Sequence, residues 1–121
     1  MSFSLVGLYT FMQLKKPFNF LKKLPKKLNQ LYFQNSNSKL VIKNKSNYRK
    51  EFNPVTNFDK QFEKYIRSLI EKSFLKDGII GEEFKNKPSS NNYKWSIDPI
   101  DGTKSFVIGV PTWSNLIRLM H

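Results

Sequence analysis

The stretch that decides the fold comprises residues 93–103, Tyr-Lys-Trp-Ser-Ile-Asp-Pro-Ile-Asp-Gly-Thr. Its first six residues alternate between apolar and polar side chains, a pattern typical of a β-strand with one buried face. Directly after them, Pro99 fixes its own φ angle and so limits how far Asp98 and Asp101 can move apart. Gly102 has no Cβ, which allows a ligand to approach the backbone. The sequence therefore predicts a strand that ends in a stiff turn with two carboxylates.

A helix and a short strand are predicted before this turn. Thr56, with Asp59 three residues later, has the spacing of a capping box at a helix start. Residues 78–81, Gly-Ile-Ile-Gly, predict a helix stop at the first glycine and then a short buried strand that ends at Glu82 and Glu83. The apolar face of the helix repeats at i, i+4, i+7, i+8, i+11, i+12 and i+16, and comprises Phe58, Phe62, Tyr65, Ile66, Leu69, Ile70 and Phe74.

Three carboxylates converge at one sheet edge if the two strands are neighbours: those of Glu82, Asp98 and Asp101. Clustered carboxylates repel and raise one another's pKa, and a divalent cation relieves that repulsion. The chain has no cysteine, and its single histidine is His121, so oxygen ligands favour Mg²⁺ or Mn²⁺ over Zn²⁺. Thr103 is predicted to begin a short helix whose free N–H groups suit a phosphate. A plain surface turn is the alternative interpretation of the same residues.

Composition limits the remaining functions. A chain of 121 residues forms one small domain or part of a larger one. The absence of cysteine excludes disulfides and is compatible with the cytoplasm. Residues 1–50 contain ten lysines, one arginine and no acidic residue, which predicts either a nucleic-acid- or membrane-binding arm or a solvated surface. The spacing of the lysines and the scarcity of arginine favour the surface, so no specific nucleic acid is expected. No apolar run is long enough to span a membrane.

Signals elsewhere in the chain are more local. Pro17 and Pro25 predict that any helix within residues 1–27 is interrupted, because proline in a helix interior removes a hydrogen bond and clashes with the preceding turn. The remaining signals predict the end of a helix at 28–34 and a turn at 35–38. A β-like run at 40–42, a polar loop at 43–53 and a last strand at 113–120 are predicted after them.

Three motifs occur together in an order and spacing that resemble the inositol monophosphatase-like family. They are Pro-Val-Thr-Asn-Phe-Asp at 54–59, Gly-Glu-Glu at 81–83 and Trp-Ser-Ile-Asp-Pro-Ile-Asp-Gly-Thr at 95–103. The resemblance extends over residues 54–117. Within the family, Thr-Lys-Ser-Phe at 103–106 is most similar to the histidinol-phosphatase branch.

The resemblance implies an α+β fold, the amino-terminal part of a layered αβαβα sandwich that is incomplete here. Residues 28–121 would be the amino-terminal half of the family domain, and residues 1–27 a poorly matching basic and apolar extension. The family's second half supplies a further metal-binding aspartate in a Trp-Asp-x-Ala context, which this sequence lacks. The resemblance therefore predicts a fragment that is inactive alone.

The family's metal ligands correspond to Glu82, Asp98 and Asp101, together with the backbone carbonyl of Ile100. The implied cofactor is Mg²⁺, with Mn²⁺ as the alternative. The metal ions held by these residues would stabilise charge on the leaving oxygen, as metal-assisted hydrolysis requires.

The resemblance also implies three catalytic residues. Glu82 and Thr103 are similar to the pair that orients and activates a water molecule, and Asp59 to the acid that supports the threonine. The phosphate would bind at Ile100, Asp101, Gly102 and Thr103.

The implied activity is the hydrolysis of a small phosphate monoester, first of all histidinol phosphate to histidinol in histidine biosynthesis. Inositol 1-phosphate is the alternative substrate, and a full-length member could form a homodimer. An alternative of another class is an inactive fragment whose basic arm binds nucleic acid or anionic lipid.

Overall fold

The structure, a computed structural model, describes residues 4–46 and 54–121. The chain divides into two compact units, residues 1–38 and residues 39–121. The first unit contains helix α1 (Leu5–Asn35). Among the helices of the described residues, none combines the length and apolar character that crossing a membrane requires.

Helix α1 is continuous, so the predicted interruption is wrong. Both Pro17 and Pro25 lie inside it. Each proline removes one backbone hydrogen bond, whereas the helix has 31 residues and keeps the others. Its start is capped by the side chain of Ser4, which accepts a hydrogen bond from the Gly7 amide at 3.1 Å. The predicted helix end and the turn after it are confirmed. The helix also continues without a break through residues 27 and 28, where the sequence predicted the boundary between the amino-terminal extension and the family domain. The position of that domain boundary stays a prediction.

Helix α2 (Asn57–Ser73) begins with the predicted capping box. The Thr56 hydroxyl accepts hydrogen bonds from the amides of Phe58 and Asp59, at 3.2 and 3.3 Å. In return, Asp59 Oδ2 accepts the Thr56 amide at 2.7 Å, so two free donors at the helix start are satisfied. The predicted apolar face is buried at Phe58, Phe62, Ile66 and Ile70.

Helix α2 ends at Ser73, so the predicted stop at Gly78 is wrong. Phe74 leaves the helical region with φ −137°, while its amide still donates to the Ile70 carbonyl at 2.7 Å. Its ring lies 5.1 Å from the ring of Trp95, centroid to centroid. Phe74 thus packs against Trp95 outside the helix, and the helix ends before Gly78.

Five strands form two small sheets in the described residues. The antiparallel pair consists of β1 (Ile42–Asn44) and β2 (Pro54–Thr56), and β1 lies two residues later than predicted. The other sheet has the order β3-β4-β5, with β3 (Gly78–Ile80) parallel to β4 (Lys94–Asp101) and β5 (Ser114–Met120) antiparallel to it. Part of the predicted loop 43–53 lies outside the described residues. The mixture of helices and sheet confirms the predicted α+β class.

The core lies between α2 and the three-stranded sheet. Trp95 and Ile97 of β4 are buried, as the alternation predicted, together with Ile79 of β3. The indole nitrogen of Trp95 donates to Asp77 Oδ2 at 2.8 Å, which satisfies the one polar atom of this large side chain. The pairing of β4 with β5 shifts register between Asp98 and Asp101, so the acidic turn is a bulge at the end of β4.

Gly102 connects this bulge to helix α3 (Thr103–Val107), the short helix that the sequence predicted. Its φ of +85° lies in the left-handed region that glycine adopts without strain. A Cβ at this position would also lie 2.9 Å from the Thr112 carbonyl oxygen. Gly109, at the far end of α3, has a φ of +75° and open space around it.

Gly102→Ala should therefore destabilise the chain more than Gly109→Ala. Both substitutions place alanine in the left-handed region, at a cost of about 1–2 kcal/mol. Only Gly102→Ala adds overpacking against backbone, which costs about 1–3 kcal/mol more. Urea unfolding followed by circular dichroism measures both losses. Equal losses at the two positions would contradict the close contact with Thr112.

Candidate metal and phosphate site

The parallel pairing of β3 with β4 places Glu82 and Asp98 at the same edge of the sheet. Ile80 pairs with Ser96, and each carboxylate residue follows its paired residue by two positions. The carboxyl ends of parallel strands meet at one edge of the sheet. The two strands are therefore neighbours, as the predicted convergence of the carboxylates required.

The pKa values of these two carboxyl groups are both raised. Burial is the largest cause for Glu82, although the residue as a whole is exposed, and the negative charge of Asp98 is the next cause. Burial also raises the pKa of Asp98, followed by the charges of Asp101 and Asp59. Each carboxylate therefore stands among like charges, a situation that a bound cation would relieve.

Asp98 has an unsatisfied oxygen at this edge. Its Oδ1 is buried and has no hydrogen-bond partner within residues 4–46 and 54–121. A buried acceptor left unpaired costs about 1–3 kcal/mol, and more when it is charged. A hard cation prefers such an oxygen ligand, so the residues present fit Mg²⁺.

The described part of the chain does not assemble a complete ligand set. It contains no group of three or more acidic, histidine or cysteine side chains able to hold an ion together. Asp101 is an exposed residue beyond the bulge and pairs with Ser114 in β5. The Ile100 carbonyl accepts the Thr103 hydroxyl at 2.9 Å. The structure thus brings two of the predicted carboxylates to one edge, with the third at the end of the same strand.

Asp59 and Thr103, predicted as a supporting acid and the catalytic threonine that it supports, are in contact. Thr103 Oγ1 lies 3.2 Å from Asp59 Oδ1, across 44 residues of sequence. Asp59 is buried, and its other oxygen accepts the amide and the hydroxyl of Thr56 at 2.7 and 2.6 Å. The capping box of α2 therefore also determines where the Thr103 hydroxyl lies.

Sequence reasoning missed Glu63. This residue is fully buried in α2, and its carboxylate accepts the backbone amides of Glu82, Glu83 and Phe84. Arg67, one helical turn later, donates to the same carboxylate at 2.8 Å. A signal was present, because charged residues at positions 59, 63 and 67 form an i, i+4, i+8 row beside the apolar face.

Lys45 is a second residue that the sequence did not single out. Its ammonium group forms an ion pair with Glu83. Its positive charge also lowers the pKa of Glu82 and of Asp98, against the causes that raise them. Lys45 is therefore the cation that partly balances this acidic edge.

Comparisons with known proteins find similar sequences and similar folds. A histidinol-phosphatase of Chlorobaculum parvum is 46% identical over 71 residues, which are 59% of this chain and 27% of that protein. The fold is similar to that of a staphylococcal IMPase-I complexed with products, with a TM-score of 0.76 and 22% identity over 89% of this chain and 40% of that one. It is also similar to an IMPase/NADP phosphatase complexed with Mg²⁺ and phosphate, with a TM-score of 0.66 and 24% identity over 93% and 41%.

The chain therefore spans less than half the length of each of these proteins. A protein-family model described as the inositol monophosphatase family matches residues 14–121. That match covers most of the chain, including the capping box, the Glu-Glu loop and the acidic turn, and the chain belongs to the inositol monophosphatase family.

Proposed function

We propose that this chain is the metal- and phosphate-binding part of a cytoplasmic phosphatase that hydrolyses histidinol phosphate to histidinol in histidine biosynthesis. The observation that carries the proposal is the buried Oδ1 of Asp98, which has no hydrogen-bond partner among the described residues and lies at the same sheet edge as Glu82. A bound cation stabilises such a carboxylate oxygen among like charges. A magnesium ion beside a phosphate-binding turn is suited to phosphate ester hydrolysis.

The residues proposed to hold Mg²⁺ are Glu82, Asp98 and Asp101 through their carboxylates and Ile100 through its carbonyl. Mn²⁺ has the same preference for oxygen ligands and is the alternative ion. When bound, the ion would lower the pKa of a water molecule and neutralise charge on the phosphate. The relative complexed with Mg²⁺ and phosphate supports this choice of ion.

Thr103 and Glu82 are proposed to orient the attacking water and to accept its proton. The Thr103 hydroxyl has one proton, which it can donate to the Ile100 carbonyl at 2.9 Å or to Asp59 Oδ1 at 3.2 Å, and in both cases its oxygen lone pairs can accept a hydrogen bond from water. Asp59 is buried and held through its second oxygen, so this acceptor is in place without the substrate. The water would then attack phosphorus in line with the leaving oxygen.

The phosphate is proposed to lie against Ile100, Asp101, Gly102 and Thr103. Gly102 is exposed and lacks a Cβ, so a phosphate can come close to the backbone there. The similarity to a histidinol-phosphatase over the region that contains this turn favours histidinol phosphate as the substrate. Inositol 1-phosphate is the second candidate, because the fold is also that of inositol monophosphatases.

The metal proposal predicts that Asp98→Asn weakens Mg²⁺ binding by about 10-fold or more, because the substitution keeps the shape but removes the charge of a ligand. Isothermal titration calorimetry of the wild type and the variant measures the change. Glu71→Gln is the matched control, since Glu71 is an exposed residue at the far end of α2. Equal affinity in Asp98→Asn and the wild type would contradict the assignment.

The substrate proposal predicts that residues 1–121 alone show no turnover and that activity is gained on fusion to the carboxy-terminal part of a related histidinol-phosphatase. The reason is that this chain covers 27% of such a relative, so most of the residues that hold the substrate lie elsewhere. Phosphate release is measured with histidinol phosphate, inositol 1-phosphate and an aryl phosphate, with and without Mg²⁺.

The expected order of kcat/KM places histidinol phosphate first. Preference of the fusion for inositol 1-phosphate would overturn the substrate but not the reaction. A folded fusion that hydrolyses none of the three esters would overturn the proposed function.

A further inference from the structure

We propose that Glu63 is a positioning residue, whose buried carboxylate fixes the loop that presents Glu82 to the metal. This inference rests on the proposed function, in which Glu82 is a metal ligand. Glu63 itself lies inside α2 and is fully buried, so it acts through the loop and not on the substrate.

The carboxylate of Glu63 satisfies three consecutive backbone amides. Its Oε2 accepts those of Glu82 and Glu83, at 3.0 and 2.7 Å, and its Oε1 accepts that of Phe84 at 3.3 Å. These amides follow the last residue of β3, Ile80, so the sheet does not orient them. Hydrogen bonds to an ionised acceptor are stronger than neutral ones, and three of them determine the path of the loop.

Arg67 completes the arrangement from the same helix. Its Nε donates to Glu63 Oε1 at 2.8 Å, and its Nη2 donates to the Phe84 carbonyl at 3.1 Å. The Glu63 carboxylate therefore holds the loop at three amides, and the Arg67 guanidinium holds it at the Phe84 carbonyl. Replacing a buried ion pair as a whole by apolar side chains is often neutral for stability, whereas removal of Glu63 alone would leave Arg67 and three backbone amides without their partner. What the ion pair provides is a defined loop geometry.

Gly81 is a second, independent sign of this role. A Cβ at Gly81 would lie 2.0 Å from Glu63 Oε1 and 2.7 Å from Arg67 Nη2. A Cβ there would force the Glu63 carboxylate to move from the donors that it binds, so glycine allows the loop to approach this carboxylate closely. The glycine before Glu82 and Glu83 is thus required by Glu63, a contact partner 18 residues earlier in the sequence.

Helix α2 consequently positions two parts of the site from one side. Asp59 contacts the Thr103 hydroxyl, and Glu63, one turn later, holds the Glu82 loop. Residues four apart lie on the same face of a helix, at a fixed spacing. The distance between Thr103 and Glu82 is therefore set by the rigid backbone of α2.

Glu63→Gln tests the proposal, with Glu71→Gln as the matched control on the same helix. Glutamine has the same shape, but its neutral amide replaces one acceptor by an NH₂ group that faces the loop donors. Two quantities are measured: amide hydrogen exchange at residues 82–84 by NMR, and Mg²⁺ affinity by calorimetry. In Glu63→Gln, exchange at these amides should become at least about 10-fold faster and Mg²⁺ should bind about 10-fold or more weakly.

Exchange at Trp95 and Ile97 in β4 should stay the same in Glu63→Gln, and Glu71→Gln should change neither quantity. Unchanged exchange at residues 82–84 would overturn the positioning role. Faster exchange with unchanged Mg²⁺ affinity would overturn its link to the metal. A wild-type chain that binds no Mg²⁺ refutes the proposed function, while the exchange rates still decide whether Glu63 holds the loop.

Two further variants keep the test decisive. Arg67→Lys retains the Glu63 carboxylate and a cation but loses the planar fork that reaches the Phe84 carbonyl. Amide exchange at residues 82–84 should therefore become about 2–5-fold faster and Mg²⁺ binding about 2–5-fold weaker.

Gly81→Ala should act on the same contact, and its effect on Mg²⁺ affinity should not add to that of Glu63→Gln in the double variant. Full additivity would overturn the shared contact.

Discussion

The buried charged row on α2 is the constraint on which the rest of this structure depends. Asp59 and Glu63 are both excluded from water, and a buried carboxylate must find hydrogen-bond donors. Thr56 and Thr103 supply donors to Asp59, and the amides after β3 supply them to Glu63. Satisfying these two acceptors couples the position of the helix to both loops at the edge of the sheet.

The edge formed by β3 and β4 then brings carboxylates close together, and their negative charge is only partly offset. Asp98 has a buried oxygen without a hydrogen-bond partner in the part of the chain that the structure describes, and the pKa values of Asp98 and Glu82 are raised by burial and by neighbouring carboxylates. Lys45 offsets part of this charge through its ion pair with Glu83. Buried hydrogen bonds that fix two loops, with like charges between them, are the features on which the proposed cation site rests.

Much of the second unit could be predicted from local patterns. The capping box, the apolar face of α2 and the alternation in β4 each depend on residues within one or two turns or within one strand. The errors arose where a local signal was outweighed by the rest of the structure. Pro17 and Pro25 are accommodated in α1 because a long helix keeps its other hydrogen bonds, and α2 ends early because Phe74 packs against Trp95, which is 21 residues away in the sequence.

Residue types and their spacing were enough to indicate the kind of chemistry: carboxylates without cysteine, a stiff acidic turn after a strand, and the three motifs of the family. Which carboxylates are exposed and which are buried within the fold depends on tertiary packing. Glu63 and Glu82 are the same residue type, yet one is buried against amides 19–21 positions away and the other is exposed at the sheet edge. That difference arises from the packing of α2 against the sheet, a long-range contact that no local pattern records.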